Sequence, residues 1–402
     1  MTSVAAPSLS TQVVDAIRSV TGPGPVVLHE PRFAGNEWTY VRECLDSTFV
    51  SSVGKFVDRF ENELAAFTGA KHVVAVVNGT AALHIALRLA GVERDDEVLA
   101  PALSFVATAN AISYCGAIPH LVDSEERTLG LDPVALREYL RATTETRDGQ
   151  CINRATARVI RAIVPMHTFG HPVDIEGVMA VARDFRLALV EDAAESLGST
   201  VGGRHTGTFG VIGTLSFNGN KTITTGGGGA LLINDAALAR RAKHVTTTAK
   251  VPHRWEFQHD EIGYNYRLPN LNAALGCAQL EQLDGFLARK RRSAQRYREG
   301  LAGAASVSLL WEPAGARSNF WLNAVRCDTP ARAKRLLARL NAEGFEARPL
   351  WTPCHRQPMF EPIATGPLDR ADRLWRVCFN VPSSASLKPG DVDAVCRLLR
   401  RA

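Results

Sequence analysis

The 402-residue chain has no run of apolar residues long enough to cross a bilayer. Its start also lacks a basic segment followed by an apolar block, so we expect neither a membrane span nor a signal peptide. The eight cysteines are scattered and form no C-x-x-C pair, which favours free thiols over disulfides or a structural zinc site. These absences predict a cytoplasmic protein without a metal site and without a membrane partner.

The chain also has little excess charge. Its formal net charge of +5 is small for its length and does not indicate a nucleic-acid partner. The densest basic run is RKRRSAQRYR at 289–298, which continues a helical pattern, and we interpret it as a solvated helix face. No series of aromatic residues accompanies this run, as a single-strand-binding groove would require.

The sequence does contain short apolar runs separated by helical patterns over about its first 250 residues. The runs typical of buried strands are 72–77, 97–100, 119–123, 159–165, 187–192, 214–217 and 230–234. Buried strands connected by helices predict an α/β fold with a parallel or mixed sheet. A polar, irregular segment at 245–268 then leads into a smaller α+β region. We therefore predict a large domain at 1–250 and a small domain at 251–402.

The first candidate site is the turn in VVNGTAALHIAL. Gly79 and Thr80 connect a strand to a helix, where free N–H groups and the helix dipole attract a phosphate. A Gly-Thr pair is also a common helix N-cap, so this turn alone leaves both interpretations open.

The second candidate site is the end of the strand in LALVEDAAESLGS. Ligands of open α/β sheets bind at the carboxyl ends of the strands, where Glu191 and Asp192 lie. A carboxylate there could bind a cationic ring nitrogen, as a cofactor pyridinium requires. An ordinary helix N-cap aspartate is the alternative.

The third candidate is Lys221 in SFNGNKTITTGGGG, which has no acidic residue within six positions on either side. The segment is not a P-loop, because Asn220 separates Gly219 from the lysine and the glycine spacing is wrong. Such a lysine is either exposed and inert or able to form a Schiff base with an aldehyde. The four glycines at 226–229 predict that backbone passes close to a bound group. Together the three candidates meet the needs of pyridoxal 5'-phosphate (PLP): a phosphate cup, a partner for the pyridine nitrogen and an amine.

Five motifs, in this order, resemble the DegT/DnrJ/EryC1/StrS group of PLP-dependent nucleotide-sugar aminotransferases. They are NGTAALHIAL, SFVATANAI, EDAAESLGS, SFNGNKTITTGGGG and IGYNYRLPNLNAALGCAQLEQL. The resemblance implies the fold-type I, aspartate aminotransferase-like architecture: a large domain with a mostly parallel seven-stranded sheet and a smaller C-terminal α+β domain. It also implies an aminotransferase that alternates between PLP and pyridoxamine 5'-phosphate.

The resemblance assigns roles to individual residues. Lys221 would be the Schiff-base lysine and the base that moves a proton, and Asp192 the partner of the pyridine nitrogen. The other assignments are a phosphate cup of Gly79, Thr80, Ala81 and Ser216, Phe105 stacked on the ring, Glu195 near the ring hydroxyl, and Asn265 at the phosphate of the neighbouring subunit. The Asn265 contact implies a homodimer with shared active sites. His355 is either a contact to the sugar or a paired surface histidine.

The lysine segment also separates this chain from some relatives. Many carry Gly-Glu-Gly-Gly after the lysine, whereas glycine is unbroken at 226–229 here. Relatives that remove a sugar hydroxyl with the pyridoxamine form replace the lysine with histidine, so Lys221 favours amino transfer over dehydration. Because Asp192 and Lys221 are both intact, a cofactor-free binding or regulatory protein is disfavoured.

Four segments resemble the legionaminic acid and bacillosamine branch: LHEPRFAGNE, STFVSSVGKFVDRFE, VPMHTFGHPVD and RPLWTPCHRQPMF. They predict a UDP-4-keto-6-deoxy-N-acetylhexosamine substrate, aminated at C4 with L-glutamate as donor. GDP-4-keto-6-deoxymannose, the precursor of perosamine, and a dTDP-linked keto sugar remain open.

Overall fold

The computed structural model describes residues 25–361, 363 and 365–400. Its helices are α1 Glu37–Asp46, α2 Lys55–Thr68, α3 Gly79–Leu89, α4 Val106–Tyr114, α5 Pro133–Thr143, α6 Ile175–Asp184, α7 Ala236–Thr246, α8 Asn270–Leu280, α9 Leu283–Gly300, α10 Pro330–Ala342, α11 Asp369–Val377 and α12 Pro389–Arg400. Its strands are β1 His72–Val76, β2 Glu97–Pro101, β3 Ile118–Val122, β4 Thr144–Arg147, β5 Gln150–Asn153, β6 Val159–Ile163, β7 Ala188–Asp192, β8 Thr200–Val201, β9 Arg204–His205, β10 Ile212–Ser216, β11 Gly229–Ile233, β12 Val307–Leu309, β13 Ala316–Arg317, β14 Asn323–Cys327, β15 Arg348–Pro349 and β16 Cys378–Val381.

The large sheet has the strand order β1-β11-β10-β7-β6-β2-β3, and the hairpin β4–β5 adds to it beside β6. The pairs from β10 to β3 are parallel, whereas β11 runs antiparallel to both of its neighbours. All seven predicted strands are present, with ends that differ from the prediction by no more than two residues. The prediction of an α/β fold with a mostly parallel sheet is confirmed, and the hairpin β4–β5 extends the seven predicted strands to a sheet of nine.

Helices cover both faces of this sheet. Along β1, Val74 and Val76 join the core beneath α3, while Val73 and Ala75 join the core beneath α2, as the two-residue period of a strand requires. On the α2 side, Phe60 meets Phe217 edge-on with ring centroids 5.2 Å apart. Helix α8 also packs against α2 in this core, although it follows residue 250 in the chain. The division of the domains at residue 250 stays a prediction.

The smaller sheet is antiparallel, with the strand order β12-β14-β16-β15. Helices α9, α10 and α12 pack around it, and their apolar side chains form one core with β14 and β16. All eight cysteines of the chain are unpaired and buried. No helix among the described residues is both long and apolar enough to cross a membrane.

Helix α9 contains the basic run at 289–298. Arg289 and Arg292 are exposed, as the interpretation of a solvated face requires, but Lys290 is only 1% exposed. Its Nζ donates to the carbonyl oxygens of Trp321 at 3.1 Å and Ser383 at 2.6 Å. Burial lowers the pKa of Lys290 to about 7. The interpretation of the whole run as a solvated face is therefore wrong, because one side of α9 faces the core.

Candidate active site

A cavity of about 490 Å³ lies where the carboxyl ends of β1, β7 and β10 face the smaller sheet. Its lining includes Asn78, Gly79, Thr80, Phe105, Asp192, Glu195, Ser216 and Lys221 from around the large sheet, and Trp321, Arg348, Trp351 and Asn380 from the region of the smaller sheet. The three motifs singled out in the sequence therefore meet in one place. Their meeting follows from the topology, since each motif directly follows a large-sheet strand.

The first turn of α3 forms one wall of the cavity. Asn78 caps the helix, because its side chain accepts the Ala81 N–H at 2.7 Å and its carbonyl accepts the Ala82 N–H at 3.1 Å. The N–H groups of Gly79 and Thr80 precede the first intrahelical hydrogen bond, so they are available to an anion. Ala81, which was predicted to join this phosphate cup, is buried and does not line the cavity. Its N–H already donates to the side chain of Asn78.

Two glycines at this turn, Gly79 and Gly229, are required by the close approach of neighbouring residues. A Cβ at Gly79 would lie 2.8 Å from the Cβ of Ser216, which ends β10. A Cβ at Gly229 would lie 2.5 Å from the carbonyl atoms of Asn78. At Gly227, in contrast, the nearest atom would be 3.6 Å away. Gly229 therefore lets β11 pass against the α3 turn and so helps to position the predicted phosphate cup.

Asp192 is the carboxylate of β7 that faces the cavity. It is 2% exposed and accepts hydrogen bonds from the Thr108 hydroxyl at 2.7 Å and the Ala194 N–H at 3.2 Å. Burial raises the pKa of Asp192, and the hydrogen bonds and the nearby charge of Lys221 only partly oppose this shift. A cationic ligand at this carboxylate would favour its ionised form.

The neighbouring Glu191 points to the other side of the strand. Its carboxylate accepts the N–H groups of Gly207 at 2.8 Å and Gly210 at 2.7 Å, and it pairs with His167 at 3.1 Å. Burial alone would raise the pKa of Glu191, but these hydrogen bonds hold it below its usual value. Glu191 therefore anchors the loop that contains Gly207 and Gly210, and of the two carboxylates only Asp192 lines the cavity.

Lys221 is held within the cavity rather than exposed to solvent. Its side chain is 12% exposed, and Nζ lies 3.0 Å from Glu195 Oε1 and 4.0 Å from the centre of the Trp321 ring. Glu195 also accepts the Phe169 N–H at 2.9 Å. Burial raises the pKa of Glu195 to about 7, although the charge of Lys221 opposes this shift. The alternative of an inert surface lysine does not fit this environment.

Three further predicted residues lie at or beyond the edge of the site. Phe105 lines the cavity and is 46% exposed, with its ring centre 6.0 Å from that of Trp351. Asn265 is exposed and does not line this cavity. His355 does not line it either, and its Nε2 pairs with Asp372 at 3.1 Å, which fits a paired histidine. Their roles towards a cofactor, a neighbouring subunit or a sugar stay predictions.

Sequence reasoning missed several residues that shape the site. Thr108 lies in the quoted motif SFVATANAI, one helical turn after Phe105, so its spacing could have indicated it. Trp321 contacts Lys221 and also donates its ring N–H to Asn220 O at 2.7 Å. No local sequence pattern links Trp321 to Asn220 and Lys221, because Trp321 lies about 100 residues further along the chain.

The side chains present fit PLP. The α3 turn offers N–H donors for its phosphate, and Lys221 offers an amine for its aldehyde. Asp192 offers a buried carboxylate whose ionised form a protonated ring nitrogen would stabilise.

The model of the DegT/DnrJ/EryC1/StrS aminotransferase family matches residues 31–400. GDP-perosamine synthases of Caulobacter vibrioides and Escherichia coli O157:H7 are each 37% identical over 372 residues, covering 92% of this chain and 96% of the relative. The crystal structure of the aminotransferase TlmJ from Streptoalloteichus hindustanus has a TM-score of 0.85 and 29% identity, covering 94% of this chain and 98% of that one. These similarities confirm the fold-type I architecture, the aminotransferase activity and the cofactor PLP.

Proposed function

Because the chain belongs to the DegT/DnrJ/EryC1/StrS aminotransferase family, we propose that it aminates a nucleotide-linked 4-keto-6-deoxysugar at C4 with L-glutamate as donor. The observation that carries the proposal is the meeting of Lys221, Asp192 and the first turn of α3 in one cavity. When bound, PLP supplies the electron sink that lets an amino group leave the donor and join a keto carbon.

The residues of the cavity divide this task. The N–H groups of Gly79 and Thr80 would hold the phosphate of PLP, and the carboxylate of Asp192 would stabilise its protonated ring nitrogen. Lys221 would act as the base that moves the proton at its Nζ, and Glu195, 3.0 Å from that Nζ, would stabilise its ammonium form. Because burial raises the pKa of Glu195 to about 7, its carboxyl group changes charge near neutral pH.

For the nucleotide sugar, GDP-4-keto-6-deoxymannose is the better supported candidate. The two GDP-perosamine synthases resemble this chain over more than nine-tenths of their own length. The UDP-4-keto-6-deoxy-N-acetylhexosamine predicted from the sequence rests on four short segments, so it is the second candidate. A dTDP-linked keto sugar is third. Dehydration of the sugar by the pyridoxamine form is disfavoured by Lys221.

A half-reaction with keto sugars tests this proposal. The enzyme is converted to its pyridoxamine form with glutamate, the donor is removed, and GDP-, UDP- and dTDP-linked 4-keto-6-deoxysugars are added separately. We expect the PLP absorbance to return fastest with the GDP-linked sugar. Return with only the UDP-N-acetyl sugar would retain the chemistry and overturn the nucleotide assignment. No return with any of them would overturn the proposed function.

A homodimer is also part of the proposal. Asn265 is exposed, and the described surface carries large apolar side chains that a partner could cover: Trp38, Phe49, Val53, Trp255, Phe257 and Ile262. Light scattering is expected to give twice the mass of one chain. Asn265→Ala should weaken PLP binding, because the proposed contact of Asn265 with the phosphate in the neighbouring subunit would be lost. A fully active monomer would exclude shared active sites.

A further inference from the structure

The small-domain wall of the cavity presents Arg348 and Asn380, which none of the steps above uses. Arg348 on β15 and Asn380 on β16 are direct partners in the antiparallel register. The Cβ atoms of such partners are about 4.5–5.5 Å apart and lie on the same face of the sheet. Both residues line the cavity, so their side chains form one polar patch facing the ligand space.

Asn380 has an unused hydrogen-bonding group. It is 3% exposed, and its Oδ1 is buried without a hydrogen-bond partner. Buried polar atoms in folded proteins nearly always have a partner, because an unpaired one loses its hydration without compensation. Since Asn380 lines the cavity, a ligand hydroxyl can supply the missing donor, while the amide NH₂ can donate to an anionic oxygen.

Arg348 supplies positive charge at the rim of the cavity. Among the described residues that line it, only Lys221 and Arg348 are cationic; Lys221 pairs with Glu195 inside the cavity, and Arg348 pairs with Glu346 at its rim. The Arg348 side chain is 62% exposed, whereas that of Lys221 is 12% exposed. Arg348 is oriented by Glu346, whose Oε1 accepts its Nε–H at 3.0 Å. The opposite oxygen of Glu346 accepts a backbone N–H from Leu28 at 2.8 Å, which anchors the pair.

We infer that Arg348 and Asn380 form the subsite for the diphosphate of the nucleotide sugar and for a hydroxyl beside it. The inference rests on the proposed function and adds residues to it. The planar guanidinium offers paired N–H donors that match phosphate oxygens. The keto sugar would then extend inward to Lys221, and the nucleoside would extend outward from the exposed rim.

Binding of nucleotides to the PLP-loaded enzyme tests the subsite without turnover. Calorimetry compares GDP and UDP with the corresponding nucleosides for the wild type, Arg348→Met and the control Arg335→Met, an exposed arginine on α10. We expect Arg348→Met to weaken diphosphate binding about 10- to 100-fold, since a charge-assisted contact is lost, and to leave nucleoside binding unchanged. Equal diphosphate affinity in Arg348→Met and the wild type would overturn the inference. Unchanged thermal unfolding of the variant excludes a loss of fold.

The two half-reactions distinguish a diphosphate from the carboxylates of glutamate, which an arginine could also bind. We expect Arg348→Met to raise the keto-sugar concentration needed for half-maximal rate about 10- to 100-fold and to leave the glutamate half-reaction unchanged. A defect confined to the glutamate half-reaction would assign Arg348 to the donor and overturn the inference. If the wild type accepts no keto sugar, the proposed function fails, while the nucleotide titration still decides the subsite.

Variants of Asn380 separate hydrogen bonding from packing. Asn380→Ala removes both groups of the amide, whereas Asn380→Asp keeps an acceptor and adds a negative charge beside the diphosphate. We expect the aspartate variant to lose more diphosphate affinity than the alanine variant, because the added charge repels the phosphates and competes for Arg348. Equal or stronger binding by Asn380→Asp would exclude Asn380 from a diphosphate site.

Discussion

Replacement of Lys221 by alanine is expected to lower kcat by about 10³-fold or more, because the variant lacks the amine that binds the cofactor aldehyde and moves the proton. The fold is expected to persist. Glu195 would lose its partner at 3.0 Å, but its pKa is already raised to about 7 by burial. Without the lysine, that pKa would rise further, so Glu195 would be neutral rather than an unpaired buried charge. Amination rates and thermal unfolding of the purified variant measure both expectations.

Two further variants make the test specific. Lys221→Arg keeps a positive charge beside Glu195 but has no amine that can be deprotonated, so it should be as inactive as Lys221→Ala. Lys334→Ala removes an exposed lysine on α10 and should keep full activity. Activity close to that of the wild type in either Lys221 variant would show that the cavity lysine is not the reacting amine.

Replacement of Asp192 by asparagine is expected to lower kcat/KM about 10²- to 10³-fold, because the amide cannot stabilise a protonated ring nitrogen. The shape of the side chain is kept, and Thr108 and Ala194 can still hydrogen-bond to it. Burial raises the pKa of Asp192, so its ionised form costs folding free energy that a cationic ligand would offset. PLP should therefore raise the unfolding temperature of the wild type more than that of Asp192→Asn.

The adjacent Glu191 provides the matched control. Glu191→Gln should lower the free energy of unfolding by about 1–3 kcal/mol, since a buried carboxylate that accepts three N–H groups loses its charge. It should leave the spectrum of bound PLP unchanged, because Glu191 does not line the cavity. Equal losses of activity in Asp192→Asn and Glu191→Gln would refute the separate roles of these two carboxylates.

The sequence predicts the large sheet well because its strands are buried on both faces and therefore appear as continuous apolar runs. The hairpin β4–β5 escapes prediction because its segments TETR and QCIN are short and largely polar. The burial of Lys290 was not predicted for a different reason. A dense basic run indicates a solvated face, yet the helical period turns one of its members towards the core, where carbonyl oxygens accept from it.

In the site, Gly79, Asp192 and Lys221 are predictable because each belongs to a local motif that follows a large-sheet strand. Trp321, Arg348 and Asn380 belong to no such motif. They reach the cavity because the region of the smaller sheet faces the strand ends of the large sheet and because β15 and β16 pair in one particular register. The identity of the nucleotide in the substrate is also hard to predict from the sequence. The residues proposed to bind it, Arg348 and Asn380, belong to no local motif and are brought together only by the fold.

The most direct test of the central claim identifies the amine that binds the cofactor. The PLP-loaded protein is reduced with borohydride, digested, and its peptides are analysed by mass spectrometry. We expect a pyridoxyl group on the peptide that contains Lys221 and on no other. A pyridoxyl group on a different lysine, such as the buried Lys290, or on none would contradict the account.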